Sequence, residues 1–208
     1  MMKLYTMPSS RFGDRIRIQI LAKRLEVEEV FLAYPFPDAY LRVNPLGQVP
    51  ALDTGRGILA ESAVIAEYLE DLGEGPSLRP DDPVERARMR LLIRLLDLRL
   101  APSLARLYGP LGQEHLPEIG QALAGALAAM AGSLDAGAYA VGERLTLADC
   151  ALMPILMRLR LLAPRAGLAD PMAEGPVADY YAATRGNRAV AAILDEAEPA
   201  LLRALSAS

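Results

Sequence analysis

The segment Gly73–Pro83, GEGPSLRPDDP, does most to limit what this chain can fold into. Its glycines, prolines and acids leave few large apolar side chains, so neither helix nor strand runs through it. The two flanks differ in texture. On the N-terminal side, Lys3 to Met7 and Val30 to Tyr34 read as strands around a helix over 14–26, whose stripe is Ile18, Leu21, Ala22 and Leu25. Arg15, Lys23 and Arg24 fall on its other faces. Pro35, Pro37, Asn44, Pro45 and Gly47 mark a loop. Val49–Asp53 and Gly57–Ala60 then form a hairpin, and a helix opening at Ser62 carries Ile65, Tyr68, Leu69 and Leu72 before stopping at Gly73. The order is β-α-β, then β-β-α. Beyond Pro83 the strand signal disappears, and Ala/Leu-rich periodicity predicts helices at 83–108, 117–135, 146–162, 176–185 and 188–205. The expected organisation is therefore an α/β domain over 1–76, a linker over 77–84 and an all-α helical bundle over 85–208.

Composition closes off several function classes. The chain has 22 basic and 26 acidic residues, a formal charge of −4, so it has no electrostatic footprint for nucleic acid. One cysteine, Cys150, excludes an internal disulfide, and one histidine, His115, excludes the common zinc sets, so no metal site is expected. The longest uncharged stretch, Ile119 to Leu134, is 16 residues and contains three glycines. It is too short for a membrane span and reads as a buried helix. The start of the chain does not fit a secretory signal. These features point to a cytoplasmic protein. No phosphate-cradling glycine loop and no nucleophile elbow is present.

Four short segments carry chemistry. In Asn44–Leu52, NPLGQVPAL, Pro50 belongs at a strand start or edge. A cis Val49–Pro50 bond, the form of about 5–6% of X–Pro bonds, would present the Val49 backbone to an extended peptide. Glu61-Ser62 opens a helix. Serine there is a favoured N-cap, and the same helix end suits a ligand carboxylate while Glu61 suits an ammonium group. Ser9 and Ser10 precede the first helix, as caps or as hydroxyl donors at a helix N-terminus. Thr146–Asp149 has capping-box spacing with Leu145 and Cys150 at the staple positions, a structural role. Arg86, Arg88, Arg90, Arg94 and Arg99 stud one helix, either as a solvated face or against a second subunit.

Taken jointly, LYTMPSSRFGDRIRI, NPLGQVPAL, LAESAVIAEYLED and LTLADCALMPIL resemble the cytosolic glutathione S-transferase family over essentially the whole chain. The resemblance implies a thioredoxin-like N-terminal domain, βαβ-ββα, followed by an all-α domain. It implies a serine-type enzyme in which Ser10, or Ser9 if the loop slips by one residue, donates a hydrogen bond to the glutathione sulfur. Val49, held by cis Pro50, would pair with the cysteinyl part, Gln48 would reach toward the glycyl carboxylate, and Glu61 and Ser62 would hold the γ-glutamyl end. Asp97 would reach the site of a partner subunit in a homodimer. Glutathione is then a co-substrate, no bound cofactor is required, and the second substrate is a small electrophile held between the domains, with Leu104, Leu107, Tyr108 and Leu111 as candidates to line its pocket. The absence of cysteine near residues 9–14 argues against the cysteine-type branches. The double serine followed by Arg15-Ile16-Arg17-Ile18 is similar to the maleylacetoacetate isomerase branch, although Arg11 stands where that branch continues Ser-Ser with cysteine. A transferase-like binding or regulatory module is the competing class, and a carrier of apolar ligands a third.

Overall fold

A computed structural model describes residues 1–108 and 113–206. The chain divides into two compact units, Met1–Leu78 with Arg188–Ser208, and Arg79–Asn187. The sequence reading assigns 85–208 to one helical domain. The structure groups its last helix with the first unit instead.

In the first unit, β1 (Met2–Thr6), α1 (Arg11–Lys23) and β2 (Val27–Phe31) form a parallel β-α-β, followed by a short α2 (Asp38–Val43). β3 (Ala51–Asp53), β4 (Ile58–Ala60) and α3 (Ser62–Asp71) complete it. The sheet order is β2-β1-β3-β4, with β3 antiparallel to both neighbours. This is the mixed four-stranded thioredoxin-like arrangement.

α1 starts three residues earlier than the periodicity places it. Ser10 caps it by accepting from the Gly13 N–H at 3.0 Å, and Arg24, left-handed at φ 57°, ends it. β2 likewise starts three residues earlier than expected. The stripe is also different, because α1 packs against α3 and against α9 (Arg188–Ser206). Leu21 is exposed, whereas Asp14, Arg15, Arg17, Gln19 and Lys23 are buried. Each of these polar groups needs a partner in such a place. Arg17 bonds Glu29 at 2.9 Å and, on α9, Glu196 at 2.6 Å, and its guanidinium lies 5.1 Å from the Phe31 ring. Burial works against its charge, but those two carboxylates outweigh it and hold the guanidinium above its ordinary pKa. At the other end of α1, Lys23 pairs with Glu70 at 3.1 Å and donates to the Pro76 carbonyl, while Glu70 also accepts from Gln19, Ser77 and the Leu78 N–H. That network fastens the 73–78 segment to α1 and α3.

In the second unit, α4 (Pro83–Leu95) continues through a π-helical segment (Leu96–Leu100) into α5 (Ala101–Ala105) and a 3-10 turn (Arg106–Tyr108). The sequence predicts one uninterrupted helix here. Pro102 has no N–H and crowds the turn before it, so the widened register immediately precedes it. α6 (Leu116–Ala131), α7 (Leu147–Arg165) and α8 (Pro176–Thr184) complete the unit. α6, expected to be buried, buries only one stripe: Ile119, Leu123, Ala126, Leu127 and Met130. Ala124, Gly125, Ala128 and Ala129 face outward. The capping box is present at the start of α7, where the Thr146 N–H and hydroxyl both donate to Asp149 Oδ2. Asp149 Oδ1 also accepts from Ala140 N–H and the Tyr180 hydroxyl, which fixes the 140–146 turn and α8 on α7. Among the described residues no helix is long and apolar enough to cross a membrane.

Candidate functional site

Sheet register brings three separated segments to one end of the first unit. The end of β1 leads into Ser9 and Ser10. Tyr5 pairs with Ala51, so Gln48-Val49-Pro50, which precede β3, lie at that same end. Ala51 pairs with Ala60, so Glu61-Ser62, which follow β4, lie there too. Every N-terminal residue singled out from the sequence is thus gathered at the edge where β1 ends and α1 and α3 begin.

Ser10 fills the capping role weighed for it. Its oxygen accepts the Gly13 N–H, which spends one lone pair and leaves the hydroxyl proton available to another acceptor. The residue is half-buried at the positive end of a 13-residue helix, where a negative charge is favoured. Gly13 is obligatory beneath it, because a Cβ there would lie 1.9 Å from Thr6 Oγ1 and 3.1 Å from Ser10 Cβ. Ser9 sits in the preceding turn, also half-buried.

The Val49–Pro50 bond is cis, as the family resemblance implies. Pro50 is buried and Val49 half-buried, past the last β1–β3 pair. Two residues missed at the sequence level shape this loop. Tyr40 donates from its hydroxyl to the Gln48 carbonyl, and Asn44 Nδ2 donates to the same oxygen at 2.8 Å. Burial pushes the Tyr40 hydroxyl above its ordinary pKa, so it remains a donor at neutral pH. Tyr5 and Phe36 pack their rings on Tyr40 at 5.5 and 5.2 Å, which seats α2 on the sheet. Asn44 punctuates the loop in sequence, and its side chain also accepts from Leu46 N–H and shapes the turn from within. The Gln48 side chain is exposed.

Ser62 is the first residue of α3 and not its cap; Glu61 holds the cap position without a side-chain capping bond. Glu61 has φ 66° and ψ 112°, a region costing about 1–3 kcal/mol for a residue with a Cβ. Glu61 is exposed at the start of a helix whose first N–H groups have no intrahelical acceptor. Ser62 is buried, and its oxygen accepts from Arg15 Nη1 at 3.2 Å.

The family model for the glutathione S-transferase N-terminal domain matches residues 4–77, and that for the C-terminal domain matches 113–183. The chain is 36% identical over 156 residues to a glutathione S-transferase of Pseudomonas putida, covering 72% of this chain and 70% of that protein. The chain belongs to the glutathione S-transferase family. It is also 32% identical over 169 residues to a maleylacetoacetate isomerase of Pseudomonas aeruginosa, covering 74% of this chain and 80% of the isomerase. Among solved structures, human glutathione-S-transferase T1-1 in its apo form superposes with a TM-score of 0.86 at 22% identity, over 99% of this chain and 91% of that one. A rice glutathione transferase in complex with glutathione gives 0.84 at 25% identity, over 100% and 98%.

In the second unit of this glutathione S-transferase family member, Asp97 is half-buried on the π-helical segment. Leu104 and Leu107 are buried, whereas Tyr108 is exposed; Leu111 lies outside the described residues. Arg86 and Arg88 are engaged within the unit, on Pro80 and Asp81 carbonyls and on Asp135 respectively, and so do not form a solvated face. A cleft of about 680 Å³ is lined by Asp81, Asp82, Glu85, Glu143 and Arg144 among others. No residue predicted to bind glutathione lines it.

Proposed function

We propose that the cluster at the end of β1 binds glutathione and presents its sulfur as a thiolate. As a member of its family the chain is a glutathione transferase, with glutathione as co-substrate. The observation that carries the assignment of roles is the Ser10 hydroxyl, which caps α1 as an acceptor and keeps its proton to donate at the positive end of that helix. A hydrogen bond to the charged form lowers a thiol pKa, and the helix end adds to it. The Val49 backbone pairs with the cysteinyl part, Gln48 reaches the glycyl carboxylate, and Glu61 and Ser62 hold the ammonium and carboxylate of the γ-glutamyl end. Ser9 is the alternative donor to sulfur. The thiolate then attacks a small, apolar electrophile. A homodimer with Asp97 offered across the interface is part of this reading, supported by Leu91 and Leu98, exposed beside Arg90, Arg94 and Arg99. So is a cytoplasmic location, supported by a single, buried cysteine.

A second reading, glutathione-dependent isomerisation of the maleylacetoacetate type, is favoured by the Pseudomonas aeruginosa relative. Arg11 after Ser10 departs from that branch's loop. The deciding experiment is calorimetric titration with reduced glutathione, because the chain has no tryptophan for indole quenching. Binding in the millimolar range or tighter is expected. No heat at two temperatures overturns the proposal. Assay with maleylacetoacetate against a conjugation substrate then separates the two activities.

A further inference from the structure

Arg15 lies on the third side of this cluster and has no part in the roles assigned above. It sits in the first turns of α1, 2% exposed, and its Nη1 reaches 3.2 Å from Ser62 Oγ on a different helix, 47 residues further along the chain. A guanidinium can only donate. Its bond to Ser62 therefore occupies a lone pair of the hydroxyl oxygen and fixes the direction of the hydroxyl proton away from the arginine. The same charge stands behind the N-terminus of α3 and has the same sign as that end of the helix dipole. Burial makes both effects stronger than at an exposed site.

We propose that Arg15 is a positioning residue for the γ-glutamyl carboxylate of glutathione, acting through Ser62: it aims the Ser62 hydroxyl and reinforces the positive end of α3. This rests on the assignment of Glu61-Ser62 to the γ-glutamyl end. It assigns to α1 two functions at two parts of one ligand. Ser10 at its start addresses the sulfur, and Arg15, one turn further on, governs the far carboxylate through α3.

The test compares two ligands by calorimetry, reduced glutathione and 4-aminobutyryl-cysteinyl-glycine, which is glutathione without the α-carboxylate of its glutamyl residue. Wild type should favour glutathione by about tenfold or more, the range of a hydrogen bond to a charged group. In Arg15→Met that preference should shrink about fivefold or more, with binding of the decarboxylated analogue held within about twofold, and Arg15→Lys should fall between. Equal weakening of both ligands would mean a merely structural role and overturns the proposal, as does an unchanged preference. If circular dichroism shows that Arg15→Met does not fold, Arg15→Lys carries the test, since its ammonium is shorter and lacks the fork that reaches Ser62; an unchanged preference there overturns it equally. Failure of the underlying reading looks different. Wild type would then bind neither ligand, or bind both without preference.

Discussion

Replacing Ser10 by alanine separates two roles that one hydroxyl combines. As a cap, Ser10 satisfies the Gly13 N–H at 3.0 Å, and an alanine cap typically costs about 1 kcal/mol. For a chain of 208 residues this lowers the melting temperature by about 2–4 °C, so the variant folds. As the proposed donor to sulfur, Ser10 lowers the thiol pKa from near 8.5 by about two units, worth about 2.7 kcal/mol. At pH 7 the thiolate fraction then changes from about three-quarters to about 3%, roughly 25-fold. The greater reactivity of a more basic thiolate returns part of this, and lost aim of the sulfur removes part again, for a net loss of turnover on the order of tenfold. Glutathione affinity should stay nearly intact. The assay is turnover against pH, together with titration of the ultraviolet absorbance of the bound thiolate. The deficit should narrow sharply by about pH 9, where both proteins carry mostly thiolate and only the lost aim remains. A deficit that is the same at pH 6 and pH 9, or a bound thiol whose pKa is unmoved in Ser10→Ala, refutes the reasoning. If Ser9→Ala produces the shift instead, the donor is one residue earlier.

Two stability predictions follow from packing and charge. Gly13→Ala, which would gain about 1 kcal/mol in an exposed helix, should here cost about 1–3 kcal/mol in urea denaturation, because the new methyl meets the fully buried Thr6 at 1.9 Å; a rise in stability would contradict this. Asp135 is held below the ordinary carboxylate range by Arg88 first and by the Gly142 N–H, so its contribution is present above the unfolded value near 4 and is lost as pH falls through the lower folded value. Asp135→Asn should therefore melt lower than wild type at pH 7, with the gap narrowing below about pH 4; a gap that widens in acid would reverse the sign.

Much of the proposed site comes from signals local in the chain. Ser9-Ser10, Gln48-Val49-Pro50 and Glu61-Ser62 are local signals, since each sits at a break between elements where a proline, a small hydroxyl residue or a change of period shows on the sequence. The cis bond before Pro50 is not such a local signal: it is what the family resemblance implies, and the second cis bond, Tyr34–Pro35, carries no mark in the sequence that separates it from a trans one. Tyr40, Asn44 and Arg15 were not legible in the same way. Tyr40 and Asn44 act on Gln48 from within a loop whose glycine and prolines hide a six-residue helix. Arg15 looks like any surface arginine until α3 is laid across α1.

By itself, the sequence determined a break within Gly73–Pro83 and the strand and helix order around it, and it supplied the residues proposed to meet glutathione. These follow from period, breakers and side-chain chemistry, which are properties of neighbours in the chain. Only the tertiary structure decided that α9 returns to the first unit through Arg17 and Glu196, and that α1 is polar and buried at once. A charged side chain enters a core when partners from distant elements meet it with matching geometry. Glu29 on β2, Ser62 and Glu70 on α3 and Glu196 on α9 come from three different elements, and pairing across such distances leaves no periodic trace in the sequence.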